Sequence, residues 1–248
     1  MDILEIIISL VTGLTAGFMA AITAGAGLIT IPVLIFLGVP TNSAIATNSM
    51  ATLGMFASSL PRYYEAKRVK MRTGLKLIPL AIIGAIIGAN VLVRVDAEAL
   101  TVVVGILLLL LVPAVLLNHE KGLKAFKADR EEVFSGYFLY FLIMIYGALL
   151  GAGAGIFAMY TLVYFLGMTY LQAKATVSVP GIFLNATAFI IFYWHGLINF
   201  ELGIPMTIGM YLGGAIGAKT ALEKGDAWVK ILFVTVIAAA GIKLLFFP

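Results

Sequence analysis

The chain has 248 residues, of which 62% are hydrophobic and 11% charged, with a mean hydropathy of +1.10. That composition excludes an ordinary soluble domain and makes the bilayer the relevant solvent, so the formal charge of +4 reads as orienting loop residues rather than a grip on nucleic acid. The absence of cysteine excludes disulfides and thiolate sites, and His119 and His195 stand far apart without clustered carboxylates, so neither a metal nor another cofactor is expected.

Apolar runs long enough to cross a hydrocarbon core, or nearly so, cover 3–21, 28–37, 43–60, 73–93, 99–117, 133–150, 156–166, 172–194, 202–218 and 229–247. The first follows Asp2, carries Glu5 and lacks a basic leader, so it reads as a retained span rather than a signal peptide. Two runs are too short: as a helix, 28–37 would reach only about 15 Å, half the core. Gly38 and Pro40 stop that run, and Thr41, Asn42 and Ser43 are placed to cap the helix that follows. Each short run either crosses a thinned region or re-enters with its successor. Residues 119–132 alternate lysines and acids, with Glu120 and Lys124 four apart, and read as a solvated or interfacial helix.

The two halves of the chain are similar to one another. Ala24-Gly25-Ala26-Gly27-Leu28 matches Ala152-Gly153-Ala154-Gly155-Ile156, and Ala46-Thr47-Asn48-Ser49 matches Ala175-Thr176-Val177-Ser178. Gly74, Gly84 and Gly88 match Gly203, Gly213 and Gly217 in the same order. The loop 62–72 carries Arg62, Lys67, Arg68, Lys70 and Arg72, whereas its counterpart 193–201 has no basic residue. Arg94 alone is basic in 94–98, against Lys219, Lys224 and Lys230 in 219–230. Equivalent loops therefore face opposite sides of the membrane. Tyr63, Tyr64, Tyr193, Trp194 and Trp228 fall at predicted span ends as interfacial anchors.

The expected fold is an all-α integral membrane protein of two inverted-topology repeats, each of about five hydrophobic segments, with about eight to ten transmembrane helices. Short broken or re-entrant helices follow Gly-rich turns. The first repeat covers residues 1–117, a cytoplasmic basic linker 118–132 and the second repeat 133–248. A multi-pass protein of the cell membrane, plasma or inner, is expected.

A helix that begins inside a membrane presents free N–H groups and the positive end of its dipole, which suit an anion. Paired short, Gly-interrupted segments in two halves are the sequence mark of a transport site. The candidates there are Thr23, Gly25, Gly27, Gly153 and Gly155. The competing reading, that glycines only let helices approach, is preferred for Gly84, Gly88, Gly213 and Gly217, which have GxxxG spacing. Thr47, Asn48, Ser49, Thr176, Ser178 and Asn185 are polar within spans, so each serves as an interhelical hydrogen bond or as a ligand of the anion. Lys174 either snorkels to the interface or faces the anion. No carboxylate lies deep in a predicted span to relay protons, and no nucleophile with a base is apparent, so an enzyme is not expected.

These residues resemble the sulfite exporter TauE/SafE family, also called the sulfonate uptake permease family, over essentially the whole chain. The resemblance rests on Gly25-Ala26-Gly27 before Leu28-Ile29-Thr30-Ile31-Pro32, on Leu37-Gly38-Val39-Pro40, and on Ala46-Thr47-Asn48, similar to the family's Gly-Thr-Asn stretch. In the second half it rests on 151–155, 173–178, Asn185 and Gly196-Leu197-Ile198-Asn199. It implies a transporter, expected to export a small sulfur-containing anion such as sulfite, a sulfonate or sulfoacetate. The alternative is an anion channel or a permease for another small organic anion. The implied partners are that anion and the lipid bilayer, without nucleic acid; self-association into a homo-oligomer stays open.

Because the chain has no cysteine, single cysteines can report its topology through an impermeant thiol reagent applied to intact cells. Arg68→Cys and Ala125→Cys are expected to react only from the cytoplasmic side, and Leu197→Cys only from outside. Reaction of all three from one side contradicts the inversion.

Overall fold

The computed structural model describes residues 3–94, 122–126 and 128–246. Its elements are helices throughout: α1 (Ile3–Thr23), α2 (Gly27–Phe36), α3 (Thr41–Glu65), α4 (Met71–Arg94), α5 (Arg130–Leu150), α6 (Ala154–Tyr164), α7 (Tyr170–Trp194) and α8 (Phe200–Phe246). Among the described residues, α1, α4, α5 and α7 are long and apolar enough to cross a membrane. The two short runs are helices of 10 and 11 residues, α2 and α6. The run expected at 99–117, with its neighbours Asp96, Glu98, His119 and Glu120, lies outside the described residues.

Three local expectations need correction. Thr41, Asn42 and Ser43 do not cap α3; Pro40 holds that place with φ −54° and ψ 144°, and no side chain caps the helix. A proline suits a helix entry because its fixed φ and missing N–H cost nothing there. At the corresponding position of α7, Thr169 does cap, accepting the Gln172 N–H at 3.3 Å. The described part of the linker is not helical before Arg130. It docks on the α6–α7 turn, where the Phe126 N–H donates to the Gly167 carbonyl at 3.0 Å and the Tyr170 N–H to the Gly122 carbonyl at 2.9 Å. Tyr63 is no interfacial anchor: it is fully buried and its hydroxyl donates to the Ala21 carbonyl.

The two apolar runs expected at 202–218 and 229–247 lie in two helices, taken together as α8, that meet at a non-helical break at Gly225 with φ 77° and ψ −174°. Just past that break, Asp226 Oδ1 accepts the Leu171 N–H at 2.8 Å and so places a carboxylate at the positive end of α7.

Small residues decide how these helices meet. In a bilayer, lipid tails are as apolar as leucine, so association rests on close packing rather than on escape from water. Along α1, a side chain at Gly13 would strike the Met206 carbonyl, and one at Gly17 would put its Cβ 2.6 Å from the Met210 carbonyl oxygen. α8 answers with Gly213 and Gly217, which lie against the Leu14 and Phe18 carbonyls. Between α4 and α5, Gly84 would bring a Cβ within 2.6 Å of Met144 Cβ, and Gly88 lies against the Ile145 carbonyl. All four glycines at GxxxG spacing thus serve helix contact. The outer faces keep large apolar side chains, such as Ile7 and Val11 of α1, Ile83 and Ile87 of α4, and Ile204 and Ile208 of α8, exposed to what would be lipid.

Gly17→Leu forces side-chain atoms into the Met210 backbone, and overpacking of this kind costs about 1–3 kcal/mol. Its thermal midpoint in detergent is expected to fall, whereas Ile208→Leu on the lipid face leaves the midpoint unchanged. An unchanged midpoint for Gly17→Leu would contradict the α1–α8 contact.

Candidate functional site

Two interruptions build the site. α1 ends at Thr23, whose hydroxyl bonds back to the Met19 carbonyl at 3.0 Å, and Ala24 then turns left-handed with φ 65° before α2 starts at Gly27. A non-glycine residue at positive φ is strained, so the surroundings must hold it. In the second half Gly151 and Gly153, with φ 68° and 75°, make the same kind of break before α6. The breaks cross each other. A Cβ at Gly27 would lie 2.8 Å from the Gly151 carbonyl oxygen, and one at Gly155 would strike the Ala24 carbonyl. The Tyr146 hydroxyl donates to the Ala152 carbonyl at 2.6 Å and pins the second break to α5.

The turn bonds at the first break use the N–H groups of Ala24, Leu28 and Ile29; at the second they use those of Ala152, Ile156 and Phe157. The N–H groups of Ala26, Gly27, Ala154 and Gly155 have no backbone acceptor among the described residues. They belong to the first turns of two helices whose positive ends meet at one place.

At that place lies a cavity of about 60 Å³, walled by Gly27, Gly155, Asn48, Thr52, Tyr140 and Asn185 with Met55, Phe56, Met144 and Gly181. Since one water needs roughly 10–15 Å³ of such volume, there is room for a few waters or one small oxyanion. The Asn48 amide is oriented: Thr30 donates to its Oδ1 at 2.6 Å, which leaves Nδ2 toward Gly151, where a Cβ would lie 3.2 Å from it. Thr52 donates to the Asn48 carbonyl at 2.7 Å. Asn185 uses one N–H on the Gly181 carbonyl at 2.8 Å. Tyr140 is fully buried, and its hydroxyl has no hydrogen-bond partner among the described residues. On the far side of Asn48 and Asn185 a smaller cavity of about 10 Å³ is lined by Ile45, Ser49, Ala188 and Phe192.

The structure therefore brings Gly27, Asn48, Gly155 and Asn185 to one cavity and Ser49 to the adjoining one. Other expected residues lie elsewhere. The Thr47 hydroxyl accepts the Asn199 N–H at 3.0 Å and that of Thr176 the Lys70 N–H at 3.0 Å, so each holds a distant loop. Gly25 faces the Ile156 side chain, Gly153 is the left-handed N-cap of α6, and Thr23 closes α1. Lys174 does not snorkel: it is 0% exposed and donates to the Ser178 hydroxyl at 3.2 Å. Thr30, Thr52 and Tyr140 escaped the sequence reading. Thr30, one turn into a shortened helix, and Thr52, one turn beyond Asn48, had a legible signal in that spacing. Tyr140 had none, because tyrosine in an apolar run reads as an anchor. No cluster suited to a metal occurs among the described residues.

An apolar helical chain with several candidate spans and two broken helices facing a small donor-lined cavity has the build of a multi-pass membrane transporter. The comparisons agree. The model of the family described as sulfite exporter TauE/SafE matches residues 9–244, and the chain belongs to that family, whose members are transporters rather than enzymes. It is 30% identical to a probable membrane transporter protein, ORF9, of Sinorhizobium sp., over 96% of this chain and 91% of that one. It is 27% identical to the probable membrane transporter protein YfcA of Escherichia coli K12, over 93% and 86%. At 23% identity it also matches the probable membrane transporter protein YunE of Bacillus subtilis, over 98% of both chains. No solved structure matches.

Proposed function

We propose that this protein exports a small sulfur-containing anion, such as sulfite, a sulfonate or sulfoacetate, and holds it in the cavity between the starts of α2 and α6. The observation that carries the reading is the buried Tyr140 hydroxyl, which lines the cavity without a partner among the described residues. A buried polar group left unpaired is costly, and a ligand oxygen would satisfy it. Further donors there are Asn48 Nδ2 and the N–H groups of Gly27 and Gly155. Three or four convergent donors and no carboxylate suit an oxyanion and disfavour a cation. The family's description as a sulfite exporter supports reading the oxyanion as one of sulfur.

Alternation between two faces needs two related halves, 1–117 and 133–248 joined by a cytoplasmic linker at 118–132, and reciprocal contacts support that arrangement. One sequence offset relates Thr47 to Thr176, Lys70 to Asn199, Met50 to Val179 and Gly74 to Gly203. The Thr47 hydroxyl takes the Asn199 N–H while that of Thr176 takes the Lys70 N–H. Gly74 abuts Val179 while Gly203 abuts Met50. A pseudo-twofold axis in the membrane plane produces such exchanges, with rocking of one half against the other around the cavity.

Among the described residues no carboxylate lines the cavity to carry a coupling proton. A cytoplasm at negative potential expels a monoanion with about 2.3 kcal/mol per 100 mV, so uniport suffices for export.

In proteoliposomes, flux of labelled sulfite is expected to saturate, to show counterflow and to follow an imposed potential. Asn48→Ala and Tyr140→Phe are each expected to weaken apparent affinity by about 1.5–3 kcal/mol, the worth of a hydrogen bond to a charged group, with little change in thermal midpoint. Lost stability with unchanged affinity would assign both residues to packing. Flux without saturation or counterflow would indicate a channel, and flux that follows a proton or sodium gradient while ignoring potential would remove uniport.

A further inference from the structure

One buried charge lies close to the cavity but outside it. Lys174 is wholly enclosed, and Ser178 is the hydrogen-bond partner of its ammonium. Among the described residues no carboxylate lies within ion-pair distance of it. An ammonium has three donors, so two remain uncommitted among the described residues. Its other neighbours are aromatic faces: Nζ lies 5.5 Å from the centroid of Phe56 and 5.9 Å from that of Tyr63. Cation–π contacts compensate such a charge only in part, and an unpaired cation at membrane depth is retained at a cost to stability.

One ring touches both this lysine and the cavity. Phe56 lines the cavity on one side and has the Lys174 ammonium near its face. The ring sits in a notch that exists because residue 181 is glycine; a Cβ there would come within 2.6 Å of Phe56 Cζ. The notch follows Pro180, which has no N–H for the Thr176 carbonyl, so α7 lacks one ladder bond where the ring is seated. Along α3 the order Asn48, Thr52, Phe56, Tyr63, and along α7 the order Asn185, Gly181, Ser178, Lys174, run together. Both lead from the cavity toward the end of the bundle where the Lys70 N–H meets Thr176. That end carries the basic α3–α4 loop.

We infer that Lys174 and the Ser178 hydroxyl form a second station for a small oxyanion, joined to the cavity when the Phe56 ring leaves the Gly181 notch. The inference rests on the anion reading of the cavity and adds to it an ionisable amine and a gate. The cavity presents dipoles and neutral donors, whereas the second station presents an amine that is positively charged when protonated, behind an apolar wall. An anion arriving from the basic-loop side meets Lys174 first. Passage past the ring then exchanges that charge for the donors at the two helix ends.

The test measures labelled-sulfite flux in proteoliposomes and the sulfite-induced shift of the thermal midpoint, for wild type, Lys174→Met, Lys174→Arg and Phe56→Leu, with Asn48→Ala alongside. Removing an unpaired buried charge does not destabilise a core, so Lys174→Met is expected to fold with a midpoint at or above that of wild type. Its kcat/KM for sulfite is expected to fall about tenfold or more, while Lys174→Arg, which keeps the charge, stays within a few fold. Phe56→Leu keeps the charge but thins the wall, and is expected to raise the maximum rate. Should Lys174→Met fail to fold, Lys174→Gln carries the same comparison with Lys174→Arg. Wild-type kcat/KM in the neutral variants overturns the second station, and a maximum rate for Phe56→Leu at or below that of wild type overturns the gate. A loss in Asn48→Ala with none in Lys174→Met removes the second station and keeps the cavity. A wild type that neither binds nor moves sulfite removes both.

Discussion

In hydrocarbon a backbone N–H without an acceptor costs several kcal/mol, so a chain that interrupts a helix inside a membrane must cover the groups it exposes. Here two helices are interrupted, at Ala24 and at Gly151–Gly153, and each interruption lies against the start of the other's helix. The arrangement depends on two positions without side chains. Gly27 lets the start of α2 reach the Gly151 carbonyl, and Gly155 lets the start of α6 reach that of Ala24. A methyl group at either would drive the breaks apart. The notion that these glycines serve either packing or a site is thus too narrow, because close packing is what brings the donors together.

The rest of the bundle maintains that crossing. The α1–α8 contact through Gly13, Gly17, Gly213 and Gly217, and the α4–α5 contact through Gly84 and Gly88, fix the helices on either side of the breaks. Thr47 and Thr176 tie the loops before α8 and α4 to the middle helices α3 and α7, and the Tyr146 hydroxyl anchors the second break directly. Within this frame the cavity walls are mostly small or apolar, and the few polar groups that reach it are oriented by neighbours, as Thr30 orients Asn48. Such a site has little side-chain reorganisation to undergo when an anion enters.

Much of the architecture was legible because glycine and proline punctuate a membrane sequence strongly. The runs at 28–37 and 156–166 appear as α2 and α6 within a residue or two. Asn48 and Asn185 stood out because an amide inside a span needs a partner. Other features depend on distant partners. Nothing local tells whether the Thr47 hydroxyl will meet a ligand or the N–H of Asn199, which is 152 residues away. Whether Lys174 reaches the headgroups or turns inward is decided by Phe56 and Tyr63 of another helix. Tyr63 itself looked like an anchor and is a buried donor. The linker's alternating charges suggested a helix, but its described residues are held instead by backbone bonds to Gly167 and Tyr170. Capping was misplaced as well, since Pro40 starts α3 without a side-chain cap while Thr169 caps α7.

The central claim is that a small oxyanion binds where the starts of α2 and α6 meet. Selenite has the shape and charge of sulfite and carries an anomalous scatterer, so a crystal structure with selenite at a concentration that competes with sulfite locates the ion directly. The account predicts a selenium peak within hydrogen-bonding reach of Asn48 Nδ2, the Tyr140 hydroxyl and the N–H groups of Gly27 and Gly155. A peak only at the protein surface, with the cavity empty at that concentration, would contradict it.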